Sequence, residues 1–371
     1  MLKSKKFWAY EPCQAYELKQ EFFDNYKPKN KLNEDVQYFY DLIGIAPHPC
    51  FKIKHGKQDT MNPANELSSL DIINAKVDIN TLKIIFFILP NSKIYTMKLI
   101  SNNWDINNLE FFINSLIEKP NNIYYLSFEW NDKLVIDNRV ISINSEVAGI
   151  EYVEQFTKER NLICKLVENS KLEGLCLRGD LIGDDAAIKI FELLEKNENL
   201  KSLSLYQNNL TPKCFHAFCH MLLFNRALED INFGKNFFDD ECINELKDSL
   251  GKFLMTPEEV VEYNKKLKDR EAIIKGNIKL KQQKKPEVEV PFLNEMVTIE
   301  DQNYLVKNKD LKNINFMLNP LSDNCYESII NILDNCPEMF ITIDHKVLSD
   351  EHKKNILDVN NKYLDRVYFS K

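Results

Sequence analysis

Between residues 172 and 250 one short pattern recurs at a fixed step, and that step limits the fold more than any other feature of the chain. The three occurrences are Leu172-x-x-Leu175-x-Leu177-x-x-Asp180, Leu200-x-x-Leu203-x-Leu205-x-x-Asn208 and Leu228-x-x-Ile231-x-Phe233-x-x-Asn236. Their first residues lie 28 positions apart both times. Apolar residues at alternate positions mark a half-buried strand. A helix-period run follows each one: Ile190, Phe191, Leu193 and Leu194, then Phe218, Met221 and Leu222, then Leu246 and Leu250. A single strand, turn and helix cannot bury its apolar face alone. Stacked copies share a core that grows with each copy, so the expected fold is an α/β solenoid.

The pattern continues in both directions. Upstream it starts at Leu67, Ile94 and Ile123, with spacings of 27 and 29 residues and the strand-end asparagines Asn102 and Asn131. The next start comes 49 residues later, which leaves room for an insertion near 134–150. Its β-branched stretch at 135–144 reads as an extra strand pair, before a helix over 149–169. Downstream, Leu311-x-x-Ile314-x-Phe316-x-x-Asn319 matches again. Strands at 340–343 and 363–369, with a helix over 350–360 between them, read as a degenerate C-terminal cap. The expected organisation is an irregular N-terminal arm (1–32), a cap (33–66), repeats (67–255), an insertion (256–310), and C-terminal repeats with a cap (311–371). A chain of 371 residues is long for one globular core but ordinary for such an array.

The second interruption has its own character. Thr256-Pro257-Glu258-Glu259 is a strong helix start: a capping hydroxyl, proline at the first position, then acids at the positive end. The helix is expected to run to about 285, where Pro286 stops it. Val260, Leu267 and Ile274, with Tyr263 and Ile278 beside them, recur about every seven residues, which is a narrow seam for packing on another helix or the solenoid flank. Between 263 and 285, eight lysines and Arg270 stand against Asp269 and Glu271. Beyond it, 297–299 and 304–306 read as a small hairpin.

Composition excludes several classes. A formal charge of −8 argues against a chain devoted to nucleic acid. Nine glycines, none in a phosphate-binding arrangement, argue against a nucleotide site built on a glycine loop. The apolar run at 84–90 is too short to span a bilayer, and no apolar segment follows the basic N-terminus as in a signal peptide. Nine cysteines without paired spacing fit a reduced, cytoplasmic compartment. No cofactor and no small-molecule substrate are expected.

With 27–29-residue repeats that each carry a full helix, the chain resembles the ribonuclease-inhibitor-like class of leucine-rich repeat proteins. That resemblance implies a horseshoe of about nine repeats and a non-enzymatic role in protein–protein interaction. Members of the class include an activator of the GTPase Ran and many ciliary and flagellar proteins. The basic helix and hairpin that interrupt the array look most like the ciliary group. This implies a scaffold in a cytoskeletal or axonemal assembly. A regulator of a small GTPase and a bacterial effector that binds a host protein are the alternatives.

Two candidate surfaces follow. Side chains between the buried strand positions face the concave sheet. They are Lys98, Tyr125, Glu129, Arg178, Tyr206, Asp230 and Asn232, accompanied by Ile100, Cys176, Asn315 and Met317. Tyrosine and arginine among small polar groups suit a protein interface. The second surface is the basic helix: Lys265, Lys266, Lys268, Arg270, Lys275, Lys279, Lys281, Lys284 and Lys285. It reads as a solvated charged face or a contact for an acidic partner, with nucleic acid third because no aromatic residue beyond Tyr263 interleaves for stacking; the acidic tails of tubulin are one such partner if the ciliary resemblance holds. The cluster Cys214, His216, Cys219 and His220 has metal-ligand residue types, yet Cys214 falls in the small-residue slot shared by Ala186, Cys242 and Cys325. The expected reading is packing and surface histidines, with no metal.

Overall fold

A computed structural model describes residues 18–29, 32–44, 47–51, 69–102, 104–131, 146–358, 363 and 365–370. The chain begins with α1 (Gln20–Asp24) and α2 (Leu32–Ile43). Strands and helices then alternate: β1 (Ser69–Ile73), α3 (Ile79–Ile88), β2 (Thr96–Ile100), α4 (Ile106–Glu118), β3 (Tyr125–Glu129), α5 (Glu146–Asn169), β4 (Gly174–Cys176), α6 (Gly183–Leu194), β5 (Ser202–Ser204), α7 (Pro212–Phe224), β6 (Asp230–Asn232) and α8 (Asp240–Lys247). An excursion follows, made of β7 (Lys252–Leu254), α9 (Pro257–Gln282), β8 (Glu295–Ile299) and β9 (Gln302–Val306). The array resumes with β10 (Asn313–Asn315), α10 (Tyr326–Asn335), β11 (Phe340–Asp344), α11 (Asp350–Leu357) and β12 (Val367–Ser370).

Nine strands form one parallel sheet in the order β1-β2-β3-β4-β5-β6-β10-β11-β12. This is an α/β solenoid of leucine-rich-repeat type. The sheet ignores the excursion: Ile231 of β6 pairs directly with Ile314 of β10. Seven of the repeats turn off the strand in the same way. Asn74, Ser101, Trp130, Gly179, Gln207, Lys235 and Leu318 all have φ between 48° and 73°, although only one of them is glycine. The first six donate their N–H to a carbonyl of the neighbouring repeat, at 2.6–3.0 Å. That bond fixes a left-handed turn which would otherwise be unfavourable.

The next residue is a buried asparagine in five of the seven (Asn102, Asn131, Asn208, Asn236 and Asn319), with Ala75 and Asp180 in the other two. The asparagine amide donates to a carbonyl one strand back, as Asn208 does to Leu177 (2.7 Å) and Asn236 to Leu205 (2.9 Å). Its oxygen accepts N–H groups from the same neighbour, as Asn236 does from Asn208 (2.9 Å) and Leu210 (3.1 Å). Asp180 accepts from Asn131 (2.9 Å) but has no amide to donate, so this rung is half made. A second asparagine row closes the helix-to-strand returns. Asn225 donates to Leu194 (2.6 Å), and Asn308 to Leu222 (3.0 Å). Both lie three residues before a repeat start, a regularity that the strand pattern alone did not reveal.

The core lies between sheet and helices. Ala186, Cys214, Cys242 and Cys325 are buried there, where the helices approach the sheet. Phe233 sits among Phe191, Phe218 and Phe316, with ring centroids 4.9–6.2 Å apart. At the N-terminal end, α2 places Val36, Phe39 and Tyr40 against α3, and the Tyr40 hydroxyl meets Thr81 at 2.9 Å. Part of the stretch expected to be an irregular arm is ordered here: α1 buries Phe23, and the Leu18 N–H donates to Asn80 (2.7 Å).

Other expectations are adjusted. The long helix ends at Gln282 rather than near 285. The hairpin is part of a three-stranded antiparallel sheet, order β7-β9-β8, so the excursion begins at Lys252. Helix α11 stops at Leu357, and the last strand starts at Val367 rather than at 363. The extra strand pair at 135–144 falls outside the described residues.

Candidate functional site: the concave sheet and the inserted arm

The strand register aligns the concave side chains in rows. Tyr125, Gly174, Ser202, Asp230 and Asn313 share one row, and Lys98, Ser127, Cys176, Ser204, Asn232 and Asn315 the next. Ile100 is register-paired with Glu129. Arg178, Tyr206 and Met317 follow two residues beyond Cys176, Ser204 and Asn315 at the strand exits. Lys98, Tyr125 and Arg178 are exposed; Glu129, Tyr206, Asp230 and Asn232 are half-buried. A shallow depression of about 260 Å³ lies among Ser202, Ser204, Asp230, Asn232, Asn315 and Thr342.

At the centre of this face the rings are held in place. Trp130 occupies a left-handed turn, and its ring lies over Gly179, where an added Cβ would come within 2.3 Å of it. Tyr206 lies over Gly234 in the same way, with a Cβ distance of 2.7 Å. Between the two rings stands Arg178, its guanidinium carbon 5.7 Å from the Trp130 centroid and 4.5 Å from that of Tyr206. The expected list of concave residues omitted Trp130, because the turn that brings it onto this face is set by backbone geometry. Cys176, one row away, is pushed up to about 11 by burial and by Glu129, so its thiol stays protonated at neutral pH.

The arm is built differently. Thr256 and Glu259 form a reciprocal capping box at the start of α9. The heptad row that meets another segment is Tyr263, Arg270 and Asn277, not the expected Val260, Leu267 and Ile274, and it faces its own returning chain; Ile274 and Ile278 are exposed. Tyr263 donates to the Asn294 carbonyl (2.9 Å), Arg270 to that of Pro291 (3.0 Å), and Asn277 to that of Val288 (2.6 Å) while accepting the Val288 N–H (2.8 Å). Seven residues of helix rise about 10.5 Å, close to the roughly 10 Å that three residues of extended chain cover. That match explains the steps of seven on the helix and three on the strap. Phe292 then docks on Phe224 of α7 (5.3 Å), with Arg226 over its ring (5.4 Å).

Arg270 is therefore turned inward. Lys266 pairs with Glu262 (2.7 Å) and Lys275 with Glu271 (4.0 Å). Lys265, Lys268 and Lys279 are exposed, fall with Lys275 on one helical stripe, and have no carboxylate within 4 Å among the described residues. Lys281 is exposed near the helix end, and Lys284 and Lys285 lie beyond it. A groove of about 890 Å³ runs between the arm root and α7, lined by Phe224, Phe253, Met255 and Tyr263 among others.

The histidines of the cysteine–histidine cluster are directed apart. His216 meets Glu245 of α8 (2.6 Å), whereas His220 meets Glu195 at the end of α6 (2.8 Å). Burial raises the Cys214 and Cys219 thiols well above their ordinary value. No group of three metal-binding side chains converges among the described residues. No helix among them is long and apolar enough to cross a membrane.

No protein-family model matches the chain. No curated protein matches it in sequence either. Among solved structures, it is similar to one described as "Crystal structure of Rad7 and Elc1 complex in yeast", at 10% identity and a TM-score of 0.31, covering 78% of this chain and 72% of that one. A likeness of that degree says nothing about function.

Proposed function

We propose that this protein is a non-enzymatic scaffold that holds one protein partner on its concave sheet and a second on the inserted arm. The observation that carries the proposal is the pair of rings seated over Gly179 and Gly234 on the concave sheet. Rigid aromatic anchors surrounded by hydroxyl and amide groups are the composition of an interaction hot spot. The arm offers the other half: an outward stripe of lysines, with Ile278 and Val261 exposed beside it, suits an acidic protein surface. The array interrupted by a basic helix and small sheet favours a cytoskeletal setting, an axoneme being the specific proposal.

The test is affinity capture with three forms of the chain. The first is intact. The second carries Ser204→Arg, which places a bulky cation in the concave sheet. The third joins Gly251 to Asn308 by a short linker; these residues are already hydrogen-bonded at 2.9 Å. Ser204→Arg should release one partner and arm removal another. If both altered forms capture what the intact chain captures, the proposal is wrong.

A further inference from the structure

We propose that Arg178 is the receptor for a side-chain carboxylate on an extended acidic segment of the concave-face partner. The inference rests on the reading of that face as a binding surface and names the chemistry it would recognise.

Three observations lead to it. First, the guanidinium lies against two aromatic rings, its carbon 4.5 Å from the Tyr206 centroid and 5.7 Å from that of Trp130. Its planar N–H edge matches the two oxygens of a carboxylate. Second, the site is preorganised. The Arg178 carbonyl accepts the Trp130 N–H at 2.9 Å, and both flanking rings rest on glycine backbone, so little freedom is lost on binding. Third, the edge is available. Among the described residues no carboxylate pairs with Arg178, and no hydrogen-bond acceptor meets it. Glu129 is the acid on the adjacent strand, and its carboxylate is taken up by the Ser127 hydroxyl and lies against Cys176.

The surroundings select the ligand class. Glu129 would repel a dianionic phosphate more than a single carboxylate. Ser202, Ser204, Asn232 and Asn315 lie in the shallow depression on the same face, and offer donors and acceptors to an extended backbone. A carboxylate on a peptide laid across the strands meets both requirements.

The test uses the full chain and the Nε–Hε resonances of its six arginines, with Arg178 assigned by Arg178→Lys. The probes are an acetylated, amidated peptide of alternating glutamate and glycine, its glutamine counterpart, and inorganic phosphate. The glutamate peptide should shift the Arg178 resonance to saturation and the glutamine peptide should leave it in place. Arg178→Lys, which keeps the charge but loses the fork, should weaken binding at this site about tenfold with unchanged thermal unfolding. Arg270, in the arm, reports separately on binding there. A silent Arg178, an equal response to the glutamine peptide, or tighter saturation by phosphate would each overturn the assignment. If Arg178 is silent while Ser204→Arg still releases the concave partner, only the carboxylate assignment falls. If neither responds, the role of the face falls with it.

Discussion

Asn236 and Asn277 carry out the same chemistry in two parts of the molecule. Each is nearly inaccessible, and each uses its amide to replace a backbone partner: Asn236 between β5 and β6, Asn277 between α9 and the strap at Val288. The surroundings differ. Asn236 is embedded in a core that runs the length of the solenoid, with Phe233 and Phe238 beside it fully buried. Asn277 is the one fully covered residue of a helix whose remaining described side chains are exposed or half-exposed. Among the described residues, seven of the seventeen exposed large hydrophobics lie in the excursion, among them Val261, Ile278 and Val288. The solenoid encloses a continuous core, whereas α9 encloses none and leaves Val261 and Ile278 open, which is the arrangement of an element completed by a partner.

The largest effect that can break this comparison is expected at Asn236. Asn236→Ala would leave the Leu205 carbonyl and the Asn208 and Leu210 N–H groups without their partner inside the core. A loss of about 3–5 kcal/mol in global stability by chemical denaturation is expected. Asn277→Ala removes two comparable bonds but should cost only about 1–2 kcal/mol, and locally. Hydrogen exchange should accelerate at Val288 and along α9, with the solenoid's denaturation midpoint unmoved. Equal global losses from the two substitutions would mean that the arm is part of the cooperative unit.

A smaller local effect sharpens the same contrast. Thr256→Ala abolishes the capping box and should fray the first turn of α9 by about 1 kcal/mol, seen as faster exchange at Glu259 and Val260. The solenoid's unfolding should again be unaffected.

The solenoid was legible because its period is written in side chains: Leu, Ile and Phe at fixed spacing become buried strand positions, and the asparagine after the turn becomes a rung. The left-handed residue before that asparagine was not legible. Its identity varies from Ser101 to Gln207 to Lys235, because the neighbouring repeat's carbonyl, not its own side chain, holds it there; at Leu318 the Asp344 carboxylate takes that place. Trp130 was missed for the same reason. Arg178 and Tyr206 could be placed on the concave face by alternation, but the glycines that seat the rings belong to the next strand and show only after stacking. The arm's period of seven was visible, but its apolar row marked Val260, Leu267 and Ile274, whereas the row that packs is the largely polar Tyr263, Arg270 and Asn277. A seven-residue repeat fits an extended strand stepping by three as well as it fits a second helix.

The smallest expected effect concerns acid. Asp323 lies just before α10 in the solenoid and Glu262 lies on the arm; both carboxyls are held below their usual range, for different reasons. For Asp323 the first cause is the Ser349 backbone N–H at 2.7 Å, followed by His352. For Glu262 it is Lys266, an exposed ion pair. A carboxyl depressed in the folded state adds stability above its unfolded pKa, and that contribution is lost as pH falls through the folded value. Asp323→Asn should therefore flatten part of the solenoid's stability loss below about pH 4. About 0.5 M salt should leave that difference largely intact, because a backbone N–H bond is not screened as an ion pair is. Glu262→Gln should change only the exchange of α9, and the same salt should erase the change. If salt removes both effects, or neither, then solenoid and arm do not hold their charges by different means.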